Sequence, residues 1–385
     1  LFPSLSFSTS QQVVNRPSQE TSSRVSGSEI ISSNSKTSYN GNYGLNASWT
    51  IYNGSKRLKT LKQERLNNQV AELDVATSEN MIKESIAQIY IQILYAAESV
   101  RVNENTLQVS IAQRDRGQEL LNAGSIAKSD FAQLEAQVST DRYQLVTAQA
   151  TLQDYKLQLK QLLELDGENE MNVYLPNLSD ENVLAPLPAK KDVYVSALAI
   201  RPEIEASKLN VEASELGIDI AKSSYFPTIS LSAGIGTNHT SGSDFTFGEQ
   251  VKNGWNNSIG LSVSVPIFNN RQTKSAVQKA RLQRETNMLS LLDEQKALYK
   301  TIESLWLDAN SAQQRYAAAN EKLRSTQISY DLISEQFNLG MKNTVELLTE
   351  KNNLLQAQQE QLQAKYMAIL NTQLLKFYQG DKLTL

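Results

Sequence analysis

Few side chains in this sequence are suited to chemistry. There is no cysteine and only one histidine, His239, so thiol catalysis, disulfides and thiolate metal sites are excluded. No phosphate-binding glycine loop, nucleophile motif or metal-spaced cluster appears. The net charge is −4 and no run of Lys and Arg suggests a basic binding surface, which gives no reason to expect nucleic acid as a partner. The sequence therefore predicts no enzyme, cofactor or metal site, and His239 is expected to be exposed and without a chemical role.

Charged residues recur at two corresponding places. Asp130 and Glu346 each stand six residues after a glycine, Gly124 and Gly340 respectively. Lys342 lies four residues before Glu346 and is its nearest cation. The helical pattern is interrupted at each glycine, and a shorter helix then returns.

The elements that carry these residues form two tandem repeats related by a constant shift of 216 residues. The first repeat is predicted at 1–164, with strands 1–15 and 36–53, a long helix 56–122 and a return helix 127–164. A connector at 165–191 follows. The second repeat is predicted at 192–385, with a leading helix 192–224, strands 226–237 and 255–268, a long helix 271–338 and a return helix 343–379. The strand pairs enclose loops 16–35 and 238–254. The counterpart of the leading helix would precede Leu1, so we expect the natural protein to begin some tens of residues earlier.

The long helices have the period of a coiled coil. In the second repeat, apolar or small residues follow one another at steps of four and three, a 3.5-residue period. The positions are Leu298, Ile302, Leu305, Ala309, Ala312, Tyr316, Ala319, Leu323, Thr326, Tyr330, Ile333 and Phe337. We expect this narrow seam to be buried, and it accounts for helices that are long and yet mostly polar.

The four strands have one apolar and one small, polar side. In 261–267 the residues Leu261, Val263, Val265 and Ile267 alternate with serine and proline, and 45–51 repeats the pattern. A soluble sandwich with a buried apolar side is one interpretation. A membrane-spanning strand of about 9–11 residues is the other, and we favour it because each strand pair leads directly into a long helix.

Four strands cannot close a barrel in lipid, where open sheet edges are not tolerated. Closure therefore requires several chains, and three would supply twelve strands. The helix at 56–122 would extend ~100 Å at about 1.5 Å per residue. Such dimensions fit a conduit that crosses the periplasm. The predicted fold class is mainly α with membrane β, a long coiled-coil helical barrel with four transmembrane strands per chain.

Three kinds of segment occur twice and in the same order. They are "FPSLSFS" and "FPTISLS" at the start of each strand pair, "WTIYNGSKR" and "VPIFNNRQTK" between strand and helix, and "LLNAGSIAKSDFAQLEAQ" and "QFNLGMKNTVELLTEKNNLL" at the two helical turns. Through these segments the sequence resembles the TolC-like outer-membrane efflux channels over essentially its whole length.

This resemblance implies a homotrimer in outer-membrane lipid, with a twelve-stranded barrel and a periplasmic tunnel of twelve helices. It also implies a periplasmic adaptor and an inner-membrane transporter as partners. By the same resemblance, Gly124 and Gly340 are the glycines of the tip turns. We expect Gly124, Ser125, Gly340 and Met341 to dock the adaptor, because exposed helix ends leave backbone carbonyls unpaired for a partner. Glu346 corresponds to an acid at the tunnel aperture and Lys342 to a basic residue that holds it closed; an ordinary solvated helix end is the alternative for both. Asp130 is the equivalent of Glu346 in the first repeat, where a helix-start charge is favoured over a role at the aperture. The seam that ends at Phe337 is expected to bring the start of the return helix to the same aperture. Thr349 stands where the family has a further acid.

Two other classes of protein remain as alternatives. A periplasmic adaptor also has a coiled-coil hairpin, but it carries one hairpin and not a duplicated pair. A structural coiled-coil protein would not account for four amphipathic strands. We expect an outer-membrane channel that conducts passively and takes its energy from its partners.

Overall fold

The computed structural model describes residues 2–18, 22–26, 29–33, 36–165, 171–176 and 183–383. Parts of the predicted loop 16–35 and of the connector 165–191 lie outside the described residues, as do both ends of the chain at 1 and 384–385.

The strands of the described chain form two antiparallel sheets. They are β1 (Ser4–Asn15), β2 (Ser22–Ser26), β3 (Glu29–Ser33), β4 (Thr37–Asn53), β5 (Thr228–Thr240) and β6 (Asn256–Ser264). One sheet has the order β1-β4-β5-β6, and β2 pairs with β3 in the other. The strand pair of one repeat therefore lies beside that of the other, joined between β4 and β5.

Two very long helices dominate the helical part. The helices are α1 (Lys56–Asn122), α2 (Lys128–Leu162), α3 (Lys190–Ile200), α4 (Pro202–Lys222), α5 (Phe247–Asn253), α6 (Gln272–Asn338) and α7 (Thr344–Gln379). A short 3₁₀ turn, Ser223–Tyr225, precedes β5. Both α1 and α6 contain 67 residues. None of the helices among the described residues is long and apolar enough to cross a membrane.

The chain forms two compact units, and each contains segments of both sequence repeats. The first unit comprises Leu1–Gln69 and Leu209–Leu289, and the second comprises Val70–Lys208 and Ser290–Leu385. The four-stranded sheet belongs to the first unit. The two helical turns and their charged residues belong to the second.

In the first unit, the two passages from strand to helix have the same unusual backbone. Gly54 and Ser55 both have φ of 64°, and Asn270 and Arg271, at the equivalent positions, have φ of 50° and 60°. Such left-handed pairs are rare outside glycine. At Gly54 a Cβ atom would lie 2.6 Å from the carbonyl oxygen of Ser223, so that glycine is required. The tandem repeat thus extends to backbone conformation.

In the second unit, the predicted seam of α6 is confirmed. Seven of its twelve positions are buried, with relative exposures of 0–9% (Leu298, Ile302, Ala309, Ala312, Tyr316, Ala319 and Phe337), and the other five are half-buried. A seam of this width buries the helix against its neighbours while most of its surface remains polar.

The predictions of loops at 16–35 and 238–254 are partly wrong, because both segments contain regular secondary structure. The first contains β2 and β3, and in the second β5 continues to Thr240 before the helix α5. The start of α5 has a local cause, because Thr246 N donates to the Glu249 carboxylate at 2.8 Å and Glu249 N donates back to the Thr246 hydroxyl at 3.4 Å. This is a capping box.

His239 is not in an exposed loop. It lies on β5, half-buried, with its ring centroid 6.0 Å from that of Tyr43 and 5.1 Å from that of Phe247. The prediction of an exposed side chain is therefore wrong, because the strand continues further than its apolar alternation suggests.

The predicted leading helix 192–224 is two helices. Arg201 has φ −72° and ψ 125°, an extended conformation that separates α3 from α4. Pro202 is the cause, since proline disfavours a helical conformation in the residue before it and suits the first position of a new helix. Proline also accounts for the end of β6 at Ser264, short of the predicted 268, because Pro266 has no N–H for the ladder.

Candidate functional site

The two helical turns have the same C-terminal geometry. Gly124 has φ of 72° and Gly340 φ of 76°. At the second turn, Gly340 N donates to the Phe337 carbonyl and Met341 N to the Gln336 carbonyl, both at 2.9 Å. The first turn repeats the pattern, with Ser125 N bonded to the Leu120 carbonyl at 2.8 Å. This is a Schellman motif, in which glycine is favoured because it adopts the left-handed conformation without strain.

The surfaces of the two turns differ. A Cβ added at Gly124 or Gly340 would meet nothing within 4 Å, so both turns are open. The second turn also exposes two large apolar side chains, Leu339 at 69% and Met341 at 70%. At the first turn the residues beside the glycine are the small Ala123 and Ser125. A partner would therefore find apolar contacts chiefly at the second turn.

Lys342 and Glu346 form an ion pair within one chain at the start of α7. Lys342 Nζ lies 2.6 Å from Glu346 Oε1, and the two side chains remain partly exposed, at 33% and 41%. Asn343 caps the helix, since Glu346 N donates to Asn343 Oδ1 at 2.9 Å and Asn343 N donates to Glu346 Oε2 at 3.2 Å. The hydrogen bond from Lys342, followed by that from Asn343 N, lowers the pKa of the Glu346 carboxyl below its usual value.

Asp130 occupies the corresponding place at the start of α2. Its Oδ2 accepts a hydrogen bond from Ala127 N at 3.3 Å, and Asp130 N donates to the Ala127 carbonyl at 3.1 Å. A negative charge in the first helical turn is favourable because it meets unpaired N–H groups and the positive end of the helix dipole. The immediate role of Asp130 is thus to start the helix.

Phe337 lies in the core, with 2% relative exposure. It shares a buried apolar cluster with Leu134 of α2 and Leu347 of α7, and Leu120 of α1 packs against that cluster. The four long helices α1, α2, α6 and α7 therefore meet just behind the two turns. Phe337 acts there as packing, and within one chain its side chain does not face an opening.

The register of the sheet confirms that apolar and polar residues take opposite faces. Leu5, Ala47, Ala233 and Ile259 stand opposite one another across the four strands, and so do Trp49, Leu231 and Leu261. The neighbouring row on the other face consists of Ser4, Ser48, Ser232 and Gly260. β1, β4, β5 and β6 contain no Asp, Glu, Lys or Arg.

One residue departs from its predicted face. The register shifts between Thr50 and Tyr52, so that Tyr52 and not Ile51 stands opposite Ile229. This β-bulge adds one residue to β4. Ile51 was predicted on the apolar face, and the bulge puts Tyr52 in its row instead.

Sequence reasoning missed a buried cation. Arg201, 7% exposed as a side chain, binds Glu203 at 2.7 Å and Glu84 at 3.1 Å, and its guanidinium lies 4.2 Å from the centre of the Tyr378 ring. The cluster joins α1, the α3–α4 junction and α7. The arginine directly before Pro202 was its only signal in the sequence, and nothing there indicated Glu84 as a partner.

The end of the connector is also bound to the helices. Trp306 Nε1 donates to the Pro188 carbonyl at 3.0 Å, and Gln313 Nε2 donates to the carbonyls of Val183 at 3.0 Å and Ala185 at 2.8 Å. Lys190, the first residue of α3, forms an ion pair with Glu303 of α6. The segment 183–190 therefore follows the surface of α6.

This chain matches one protein-family model and is similar in sequence to several known proteins. A family model described as "Outer membrane efflux protein" matches residues 1–164 and 193–380. The outer membrane efflux protein BepC of Brucella suis biovar 1 is 24% identical over 294 residues, which cover 76% of this chain and 61% of BepC. The outer membrane protein TolC of Escherichia coli K12 is 24% identical over 341 residues, which cover 85% of this chain and 66% of TolC. The chain thus spans less than two thirds of the length of these two relatives.

A crystal structure of CusC has a similar fold. The TM-score is 0.80 at 19% sequence identity, and the match covers 99% of this chain and 84% of the CusC chain. At this identity the likeness concerns the fold alone.

Proposed function

Since the chain belongs to the family of outer membrane efflux proteins, we propose that it forms the exit channel of a tripartite efflux or secretion system. In this role it conducts cargo passively across the outer membrane, and a periplasmic adaptor and an inner-membrane transporter deliver the cargo and supply the energy. The chain itself carries out no chemical step.

The sheet is the observation that carries this proposal. On its apolar face, Phe7 is 68%, Ile259 83% and Leu261 65% exposed. Burying such residues in a hydrocarbon environment is worth about 1.5–3 kcal/mol each. A face this apolar on uncharged strands suits contact with outer-membrane lipid, and the small polar row on the other face suits a water-filled passage.

The open edges of the sheet support a homotrimer. β1 and β6 each have one neighbour, so each leaves one row of backbone N–H and C=O groups without a strand partner in the sheet. In lipid such groups cost several kcal/mol each if unpaired. Pairing of β1 of one copy with β6 of the next satisfies both edges, and three copies close a twelve-stranded barrel.

The helical turns support the docking of an adaptor. Gly124 and Ser125 at one tip and Gly340 and Met341 at the other lie on open, exposed turns. In a trimer, three Glu346 carboxylates would stand around one axis, where they attract cations. The Lys342 partner of each carboxylate offsets that charge. Asp130 stabilises the start of α2, and Phe337 packs α6 against α2 and α7.

Two measurements on the detergent-purified full chain test this function. Mass measurement is expected to give a trimer, and insertion into planar bilayers is expected to give discrete ion-conducting channels. A stable monomer, or a trimer that inserts and does not conduct, would refute the proposal. A water-soluble protein recovered without detergent would favour the adaptor or the structural coiled coil.

A further inference from the structure

Three polar side chains meet in the core of the second unit. Ser110 of α1, Asp141 of α2 and Lys351 of α7 have relative exposures of 2%, 1% and 3%. Lys351 Nζ donates hydrogen bonds to Ser110 Oγ and Asp141 Oδ2, and Ser110 Oγ donates to Asp141 Oδ2. The other carboxylate oxygen, Asp141 Oδ1, accepts a hydrogen bond from Gln137 Nε2 at 2.9 Å. We call Ser110, Asp141 and Lys351 the register cluster.

Each member stands where its helix otherwise places buried seam residues. The spacing of three and four residues along each helix identifies these positions. The buried neighbours are Asn103 and Leu107 before Ser110, Leu134 and Val138 before Asp141, and Leu347 and Leu354 on either side of Lys351. The charges therefore lie inside the seams and do not border them.

Such a cluster is a poor source of stability. Burial disfavours the charged amine of Lys351 and lowers its pKa, although the bond to Asp141 acts in the other direction. Replacing a buried ion pair with apolar residues is often neutral or stabilising. The best-attested use of a polar residue at a coiled-coil seam is to define register, because any other alignment leaves it unpaired.

The sequence shows what another alignment would cost here. Moving α7 by one heptad along α2 would bring Thr344 or Gln358 to the level of Asp141. Lys351 would then face Leu134 or Ala148, and each of the two charges would be buried without a partner of opposite charge. The apolar cluster around Phe337 and Leu347 imposes no such penalty, because apolar contacts are not directional.

We propose that the register cluster fixes the position of α7 along α2 and thereby places Lys342 and Glu346 at the tip. Lys351 lies five residues, about 7.5 Å of helix, from Glu346. The cluster touches no cargo, and its residues are positioning residues. Their effect on the channel rests on the proposed function, but the register itself does not.

A cysteine-pair assay measures the register directly, since the chain contains no cysteine. Leu134→Cys is combined with Leu347→Cys, which belongs to the same buried cluster, or with Leu354→Cys, one heptad further along α7. In the parent, the first pair should form its disulfide at least ten times faster than the second. With Asp141→Leu and Lys351→Leu together, the ratio should fall below about three while the yield of folded trimer stays within about twofold. With the exchange Asp141→Lys and Lys351→Asp, the preference should return.

The Lys322–Glu360 pair provides the matched control. It also joins two helices, at 2.7 Å, but its side chains are 43% and 41% exposed. Changing both to leucine should leave the disulfide ratio as in the parent. The single change Lys351→Leu should instead reduce folded trimer more than about tenfold, because it leaves Asp141 charged in the core without a cation to pair with.

Planar-bilayer recordings of the same variants test the consequence at the tip. The double-leucine variant should show several conductance levels where the parent and the charge exchange show one. A parent-like disulfide ratio in the double-leucine variant would overturn the proposal, and so would a charge exchange that forms trimer without regaining the preference. A parent that does not conduct would refute the proposed function, while the disulfide ratios would still decide the register.

Discussion

An arginine scan of β5 separates the two faces of the sheet at neighbouring positions. Leu231 stands between Trp49 and Leu261 on the apolar face, and Ser232 stands between Ser48 and Gly260 on the other. If the apolar face meets lipid, Leu231→Arg places a charge in the hydrocarbon. Ser232→Arg places the same charge among small polar side chains and water.

The magnitude follows from the position and from the number of copies. An arginine on the lipid face costs about 2–4 kcal/mol near the bilayer midplane and less toward the interfaces. With three chains per assembly the cost becomes about 6–12 kcal/mol per trimer, enough to abolish assembly. For Ser232→Arg we expect less than about 1 kcal/mol per chain, because the arginine remains hydrated and its row contains only serine and glycine.

The assay compares heat-resistant trimer in the outer-membrane fraction, with total protein as the reference. Leu231→Arg should lose nearly all trimer and Ser232→Arg should retain most of it. Leu231→Ala controls for the loss of the leucine side chain alone and should assemble. Equal loss for the two arginine variants, or a greater loss for Ser232→Arg, would show that the faces are assigned wrongly.

Four further predictions concern the helices. Gly340→Val should lower the free energy of unfolding by about 1–2 kcal/mol, because valine is strained at positive φ. The trimer should form, but export and adaptor crosslinking should fall, whereas Gly340→Asn should retain both. Normal export by the valine variant would place the docking surface elsewhere. Lys342→Glu should raise single-channel conductance and Glu346→Ala should weaken block by divalent cations, and unchanged values in both would reduce the pair to an ordinary helix start. The pKa of Glu346 is lowered in the folded chain, so its carboxylate should stabilise the start of α7 fully above the usual carboxyl pKa. As the pH falls through the lowered pKa, the backbone amides at the start of α7 should lose protection from hydrogen exchange. Glu346→Gln should not show this pH dependence. Arg201→Met should cost about 3–5 kcal/mol by leaving Glu84 charged without its buried partner, measured as a lower midpoint of thermal unfolding, and an unchanged midpoint would contradict this.

The two faces and the two turns could be read from local pattern alone. The alternation of Leu261 and Val263 with serine defines the face of a strand, because successive side chains point to opposite sides. Gly124 and Gly340 mark the helix ends because few other residues adopt the left-handed backbone easily. These features depend on residues within one or two turns of each other.

Local pattern could not show that Tyr52, and not Ile51, takes the place opposite Ile229 on the apolar face. A bulge depends on how two strands align, and a shift of one residue reverses the face of every side chain beyond it. Alternation within β4 is the same with or without the bulge. His239 was misassigned for a related reason, since its ring contacts come from Tyr43 on the neighbouring strand and from Phe247 beyond the turn.

The amino-acid sequence by itself determined the tandem repeat, the seams of the long helices and the positions at which they end, because each is a short-range property of the chain. Only the tertiary structure decided which polar residues meet. Asp141 and Lys351 are separated by 210 residues, and each interrupts an apolar pattern in a way that reads locally as a defect. Their pairing becomes a feature only when α2 and α7 lie side by side in one register, since a buried charge is tolerated where a partner of opposite charge stands at the same level.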